Sequence, residues 1–233
     1  MWWLLLLLIP LLLILGRMLG VWLLYTPRPE APDFGKRRIA CIGDSITFGS
    51  GVIQTRKQDA WVFILGRLLG EKYQVINFGV SGATLQDEGD KPYRGQGMLK
   101  KVQEAKPDVI VLMLGTNDSK PQNWDENRFR REYAGLVNEL SAYPWPHKLI
   151  LMTPPKAFPQ EKSGEIPFKI DNSPISGPIR TMVLETAGKR DVSCVDLYAF
   201  TEGHPEYFAD GVHPNRLGNE KIAEYLFRTG LFA

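Results

Sequence analysis

Ile39-Ala40-Cys41-Ile42-Gly43-Asp44-Ser45-Ile46-Thr47-Phe48-Gly49 decides how this chain folds. Its first four residues are apolar and partly β-branched, the pattern of a buried strand, and the run stops at Gly43. Asp44, Ser45 and Thr47 then supply polar groups before the next glycine, so the strand gives way to a turn. In an open parallel sheet ligands are held beyond the carboxyl ends of the strands, which puts Ser45 at the mouth of a site.

Downstream, apolar strands alternate with amphipathic helices. The spacing of Trp61, Ile64, Leu65, Leu68 and Leu69 predicts a helix over Ala60–Leu69, and Gln74–Phe78 reads as a second strand. Gly97–Lys106 is a helix stopped near Pro107, and Asp108–Leu114 is apolar after its first residue, as a central strand covered on both faces must be. Asp125–Tyr143 is a long amphipathic helix and Leu149–Met152 a fourth strand. Lys156–Pro174 is an irregular loop of the kind that lines binding sites. Pro178–Gly188 predicts a helix, Val192–Tyr198 a fifth strand and Arg216–Arg228 a closing helix. This order argues for an α/β sandwich around a parallel sheet of about five strands, its polar turns gathered on one edge.

Upstream, Trp2–Tyr25 is almost wholly Leu, Ile, Val, Trp and Gly, with one charge, Arg17. About 24 helical residues at ~1.5 Å each reach ~36 Å, enough for a hydrocarbon core of ~30 Å. We read residues 1–25 as a membrane segment, residues 26–37, with Pro27, Pro29 and Pro32, as a stiff linker, and residues 38–233 as the functional domain. A cleaved signal peptide and a buried helix are the alternatives; no basic stretch precedes the apolar run and no clear cleavage site follows it. Arg28, Lys36, Arg37 and Arg38 would hold the domain in the cytoplasm by the positive-inside rule. The substrate argument below points outward, and an extracytoplasmic domain, anchored or secreted, is the expectation.

A net charge of +2 over 233 residues, with no basic block, argues against a nucleic-acid partner. Cys41 and Cys194 sit in separate apolar runs without metal or redox spacing.

A serine hydroxyl needs an adjacent base, and the base needs a group to orient it. Of the three histidines, His147 precedes a strand at the opposite edge. His204 and His213 both follow the fifth strand on the correct edge. Asp210 stands three residues before His213 and can curl back to hold its tautomer. For a developing oxyanion, Gly79 offers an unobstructed N–H, Asn117 a side-chain amide, and Ser45 its own N–H. Ser81 reads as a turn hydroxyl, since Gly79-Val80-Ser81-Gly82-Ala83 misses the G-x-S-x-G elbow by one residue.

Gly43-Asp44-Ser45-Ile46-Thr47, Asn77-Phe78-Gly79-Val80-Ser81-Gly82, Gly115-Thr116-Asn117-Asp118 and Asp210-Gly211-Val212-His213-Pro214 resemble, in order and spacing, the four blocks of the SGNH hydrolase (GDSL esterase) superfamily. The resemblance runs from about Arg38 to the C-terminus, with Ile46 where the family's nickname has leucine. It implies a flavodoxin-like three-layer fold, Ser45 as nucleophile, Gly79 and Asn117 in the oxyanion hole, and Asp210 and His213 completing a triad. It also implies no metal, and no cofactor is called for.

The segments Gly89–Tyr93 and Leu114–Trp124 look like those of carbohydrate and sialate O-acetylesterases. Asp44, Tyr93, Lys120 and Trp124 are therefore candidate substrate contacts, the rings as sugar platforms and the others as polar partners. Three functions follow: an esterase acting on acetylated sugars, a lipid-directed esterase or lysophospholipase, and a tethered glycan-binding module without turnover.

Overall fold

The computed structural model describes residues 16–21, 23–145 and 147–232. Its sheet comprises β1 (Arg37–Gly43), β2 (Tyr73–Gly79), β3 (Val109–Met113), β4 (Lys148–Met152) and β5 (Ser193–Val195), all paired in parallel in the order β2-β1-β3-β4-β5. That is the flavodoxin-like order, as expected. The helices relevant to the site are α1 (Ser45–Phe48), α2 (Trp61–Leu69), α3 (Met98–Ala105), α4 (Glu126–Ser141), α5 (Arg180–Arg190), α6 (Leu197–Thr201) and α7 (Arg216–Arg228).

Side chains alternate across a strand, so β1 serves two cores. Ala40 and Ile42, with Ile76, Phe78, Ile110 and Leu112, pack beneath α3, α4 and α5 through Met98, Val102, Phe129, Tyr133, Met182 and Val183. Ile39 and Cys41, with Val111, Met113 and Ile150, pack against Trp61 and Leu65 of α2 and Ile222 and Leu226 of α7. Full burial of each large apolar side chain contributes about 1.5–3 kcal/mol, and these two layers fix the sheet between them.

Polar side chains set where the helices begin. Asp125 Oδ1 accepts the Arg128 N–H at 2.8 Å, and Asn215 Oδ1 accepts the Gly218 N–H at 2.9 Å, starting α4 and α7. The same effect shortens the last strand. The apolar run predicts β5 through Tyr198, but Asp196 caps α6 through the Ala199 N–H (3.3 Å) and receives Arg180 Nη2 and Nε at 2.6 and 3.0 Å. Capping and a two-pronged ion pair outweigh strand propensity, and β5 ends at Val195.

Among the described residues no helix is long and apolar enough to cross a membrane. Residues 16–21 and 23–25 are helical, and the greater part of the expected span lies outside the described residues. The proline-rich stretch that follows is held down: Asp33 N–H donates to Gln74 Oε1 at 2.7 Å, and Gln74 Nε2 donates to the Ala31 carbonyl at 2.8 Å.

Asn219, buried in α7, ties the two halves of the site. Its Oδ1 accepts the Trp61 N–H at 2.9 Å and its Nδ2 donates to the Pro214 carbonyl at 2.7 Å. Asn219→Ala leaves both backbone groups unpaired and should destabilise the fold by about 2–4 kcal/mol in urea denaturation. A loss under about 0.5 kcal/mol would show that these groups find other partners.

Candidate active site

The sheet order places the ends of β1 and β3 at the topological switch point, and the polar loops after them face one cavity. Ser45 opens α1 directly after β1, and Asp44 caps that turn by accepting the Ile46 N–H at 2.9 Å. His213 arrives from the loop before α7. Its Nδ1 lies 2.7 Å from Asp210 Oδ2 and its Nε2 2.9 Å from Ser45 Oγ. With Nδ1–H donated to the carboxylate, Nε2 is left to accept from the hydroxyl. Asp210 Oδ1 in turn accepts the Val212 and His213 N–H groups at 2.9 and 2.7 Å, which locks the carboxylate beneath the ring. The sequence-predicted Ser45, Asp210 and His213 are thus brought together.

Gly79, the glycine expected to donate toward an oxyanion, does not line the cavity. Gly79 pairs with Gly43 in the sheet, and its N–H is already donated to Asn77 Oδ1 at 2.9 Å. A Cβ there would stand 2.3 Å from the Phe48 nitrogen, so Gly79 is small to let β2 approach α1. Gly82, three residues on, adopts φ +80 and lines the cavity beside Ser45 and Asn117. Among the described residues no acceptor takes its N–H or that of Ser45. Asn117 Nδ2 spends one hydrogen on the Ala83 carbonyl at 3.1 Å and keeps the other for the cavity.

Of the four candidate substrate contacts, Lys120 alone lines the cavity, with Nζ 3.7 Å from Asp90 Oδ2. Asp44 is fully buried behind Ser45 and touches no open space. Tyr93 is buried too, and its hydroxyl donates to the Phe78 carbonyl at 2.7 Å, so it has no face for a sugar. Trp124 packs on the core with its ring 5.6 Å from Phe129. The aromatic rim is built from residues the sequence reading missed. Tyr25 stacks on Phe48 and borders the cavity, and the Phe168 and His213 rings meet in a T-shaped pair with centroids 5.2 Å apart. Phe168 and Lys169 hold φ of 61 and 59, which costs about 1–2 kcal/mol per residue in a non-glycine and aims the Phe168 ring at the site. The long loop pointed toward Phe168; nothing local marked Tyr25.

Ser81 Oγ lies 3.2 Å from Ser50 Oγ, and no imidazole reaches it among the described residues. His204 bonds Glu206 at 2.9 Å and stacks on Tyr207, away from the cavity. His147 is half-buried, its ring nitrogens 2.7 and 2.8 Å from the Trp145 and Leu140 carbonyls.

Residues 41–221 match the GDSL-like lipase/acylhydrolase family. The chain belongs to that family. An acetylxylan esterase from Xylanibacter ruminicola is 34% identical, over 89% of this chain and 45% of that protein, so the chain spans less than half the length of this relative. A lipase/acylhydrolase from Enterococcus faecalis shares the fold with a TM-score of 0.61 and 25% identity, covering 83% of this chain and 94% of that one. A carbohydrate acetylesterase from Sinorhizobium meliloti is similar in fold, with a TM-score of 0.65 and 18% identity over 84% and 98% of the two chains.

The carboxylates of this family member differ in environment. For Asp210, burial acts upward, but the hydrogen bond and charge of His213 and two backbone N–H groups hold it below the usual range. For Asp44, burial outweighs the Ile46 N–H, the Thr116 hydroxyl and the charge of His213, and raises it from 3.8 to about 6. Asp118, buried with its oxygens on the Leu85 and Gln86 N–H groups, is also raised to about 6, by burial and by the charge of Asp44.

The folded protein therefore retains a proton on Asp44 that the unfolded chain releases as pH rises from 3.8 to about 6, and this group's contribution to stability falls through that window. Asp44→Asn keeps an acceptor for Ile46 and removes the titration. Its stability relative to the unmodified protein should rise between pH 4 and 7, read from urea midpoints, whereas a flat difference would remove Asp44 from the pH dependence.

Proposed function

We propose that this chain is a serine esterase that releases acetate from acetylated carbohydrate. The observation that carries the reading is the continuous hydrogen-bonded line Asp210–His213–Ser45, ending in a cavity of about 270 Å³. Ligand pockets for larger molecules run from about 300 to 1,000 Å³, so this one fits a small acyl group. Tyr25 and Phe168 at its rim offer rings to a sugar outside it. The acetylxylan esterase relative supports the same substrate class. Carbohydrate polymers are met outside the cytoplasm, which supports an extracytoplasmic domain.

In the mechanism, Ser45 Oγ attacks the acetyl carbonyl while its proton passes to His213 Nε2. Asp210 holds the imidazolium through Nδ1–H. The N–H groups of Ser45 and Gly82 and the amide of Asn117 receive the oxyanion, in a site shielded by Phe168. Collapse of the tetrahedral adduct returns the proton to the sugar oxygen and leaves acetyl-Ser45. Water activated by the same imidazole then releases acetate. Each oxyanion donor removed should cost on the order of 10²–10³ in kcat, and Asn117→Ala is the cleanest to test.

One observation favours a second reading. The Tyr25 wall continues into exposed Met18, Leu19, Val21, Leu23 and Leu24, an apolar surface suited to a lipid acyl chain. Initial rates on p-nitrophenyl acetate, p-nitrophenyl octanoate and acetylated xylooligosaccharides decide between the two. Acetate esters should be preferred, with Ser45→Ala inactive on all three. Preference for octanoate would move the assignment to lipid esters, and turnover surviving in Ser45→Ala would remove the mechanism altogether.

A further inference from the structure

Lys91 lies in the loop between β2 and α3 and is not part of the cavity lining. Its Nζ donates to the Ser81 carbonyl at 3.0 Å. Unlike Lys120, which pairs with Asp90, it has no carboxylate partner among the described residues. The backbone of Lys91 is pinned where its carbonyl accepts the Thr84 N–H at 2.9 Å. Its stem then passes Gly82 so closely that a Cβ on that glycine would lie 3.9 Å from Lys91 Cδ. A second tether, Ser50 Oγ to Ser81 Oγ at 3.2 Å, holds the same turn from the other side.

The Ser81 carbonyl and the Gly82 N–H are the two ends of one peptide unit. Amide resonance couples them, so a cation on the oxygen draws density from the nitrogen and strengthens the N–H as a donor. An uncompensated ammonium at this point is an arrangement for negative charge that arrives only during reaction. We propose that Lys91 is a positioning residue for ester hydrolysis, fixing and polarising the Ser81–Gly82 peptide so that the Gly82 N–H meets the oxyanion. The inference rests on the esterase reading above.

The test uses the full chain with Lys91→Met, Lys91→Gln and Lys91→Arg, assayed on p-nitrophenyl acetate and for inhibition by methylboronic acid. The boronate forms a tetrahedral anionic adduct on a reactive serine and so samples the donors that the substrate ground state does not. Lys91→Met should lose roughly tenfold to a hundredfold in kcat, less than deletion of a whole donor, with KM within about twofold. The boronate Ki should rise by a similar factor. Lys91→Gln, which keeps a donor without the charge, should fall alongside it, and Lys91→Arg should recover most of the activity. Unchanged kcat in Lys91→Met or Lys91→Gln would overturn the assignment, as would a lower kcat with an unchanged boronate Ki, the mark of a loop-stabilising role alone. Failure of the esterase reading has a separate signature, since the unmodified chain would then show no Ser45-dependent turnover.

Discussion

Parallel pairing of β1 with β2 on one side and β3 on the other determines where each polar loop of the site begins. Gly43 lies opposite both Gly79 and Met113, so the chain leaves the sheet at one level in all three strands. Ser45, Gly82 and Asn117 follow within a few residues of those exits and converge without any long-range adjustment. The close approach of β2 to α1 at Gly79 is what keeps that level common. A side chain there would drive the Ser45 turn outward and separate the hydroxyl from its imidazole.

Around this frame the buried charges are used unequally. Asp210 is surrounded by donors, which hold it in its ionised form beneath His213. Asp44 and Asp118 lie deeper and serve the backbone, one shaping the turn that carries Ser45, the other holding the Leu85–Gln86 segment beside Asn117. Their raised proton affinity is a cost of that architectural work.

Much of the fold could be read from unbroken apolar runs, because a strand covered on both faces has few other ways to look. Ser45 could be placed for a related reason, since a polar residue at a strand end falls on one edge in a parallel sheet, and Asp210 and His213 were placed on that edge as part of the chain that follows the fifth strand. The remainder depended on register and tertiary exposure. Gly79 and Gly82 are alike in sequence, and only pairing to Gly43 shows that the first is still inside the strand. Tyr93 and Trp124 were sensible aromatic candidates by position, yet burial claims both. Phe168 is reached through a left-handed backbone that favours glycine, and Tyr25 lies in a stretch whose composition speaks of membranes rather than of a cavity wall.

The hydrogen bond between His213 and Ser45 spans 168 positions of sequence. Almost the whole domain must therefore have been synthesised, and α7 docked, before the hydroxyl meets the imidazole. A nascent chain on the ribosome carries the serine, its turn and the donors around it, but not yet the imidazole that bonds the hydroxyl. That contact therefore waits on the C-terminal helix, and it is lost when the helix comes away.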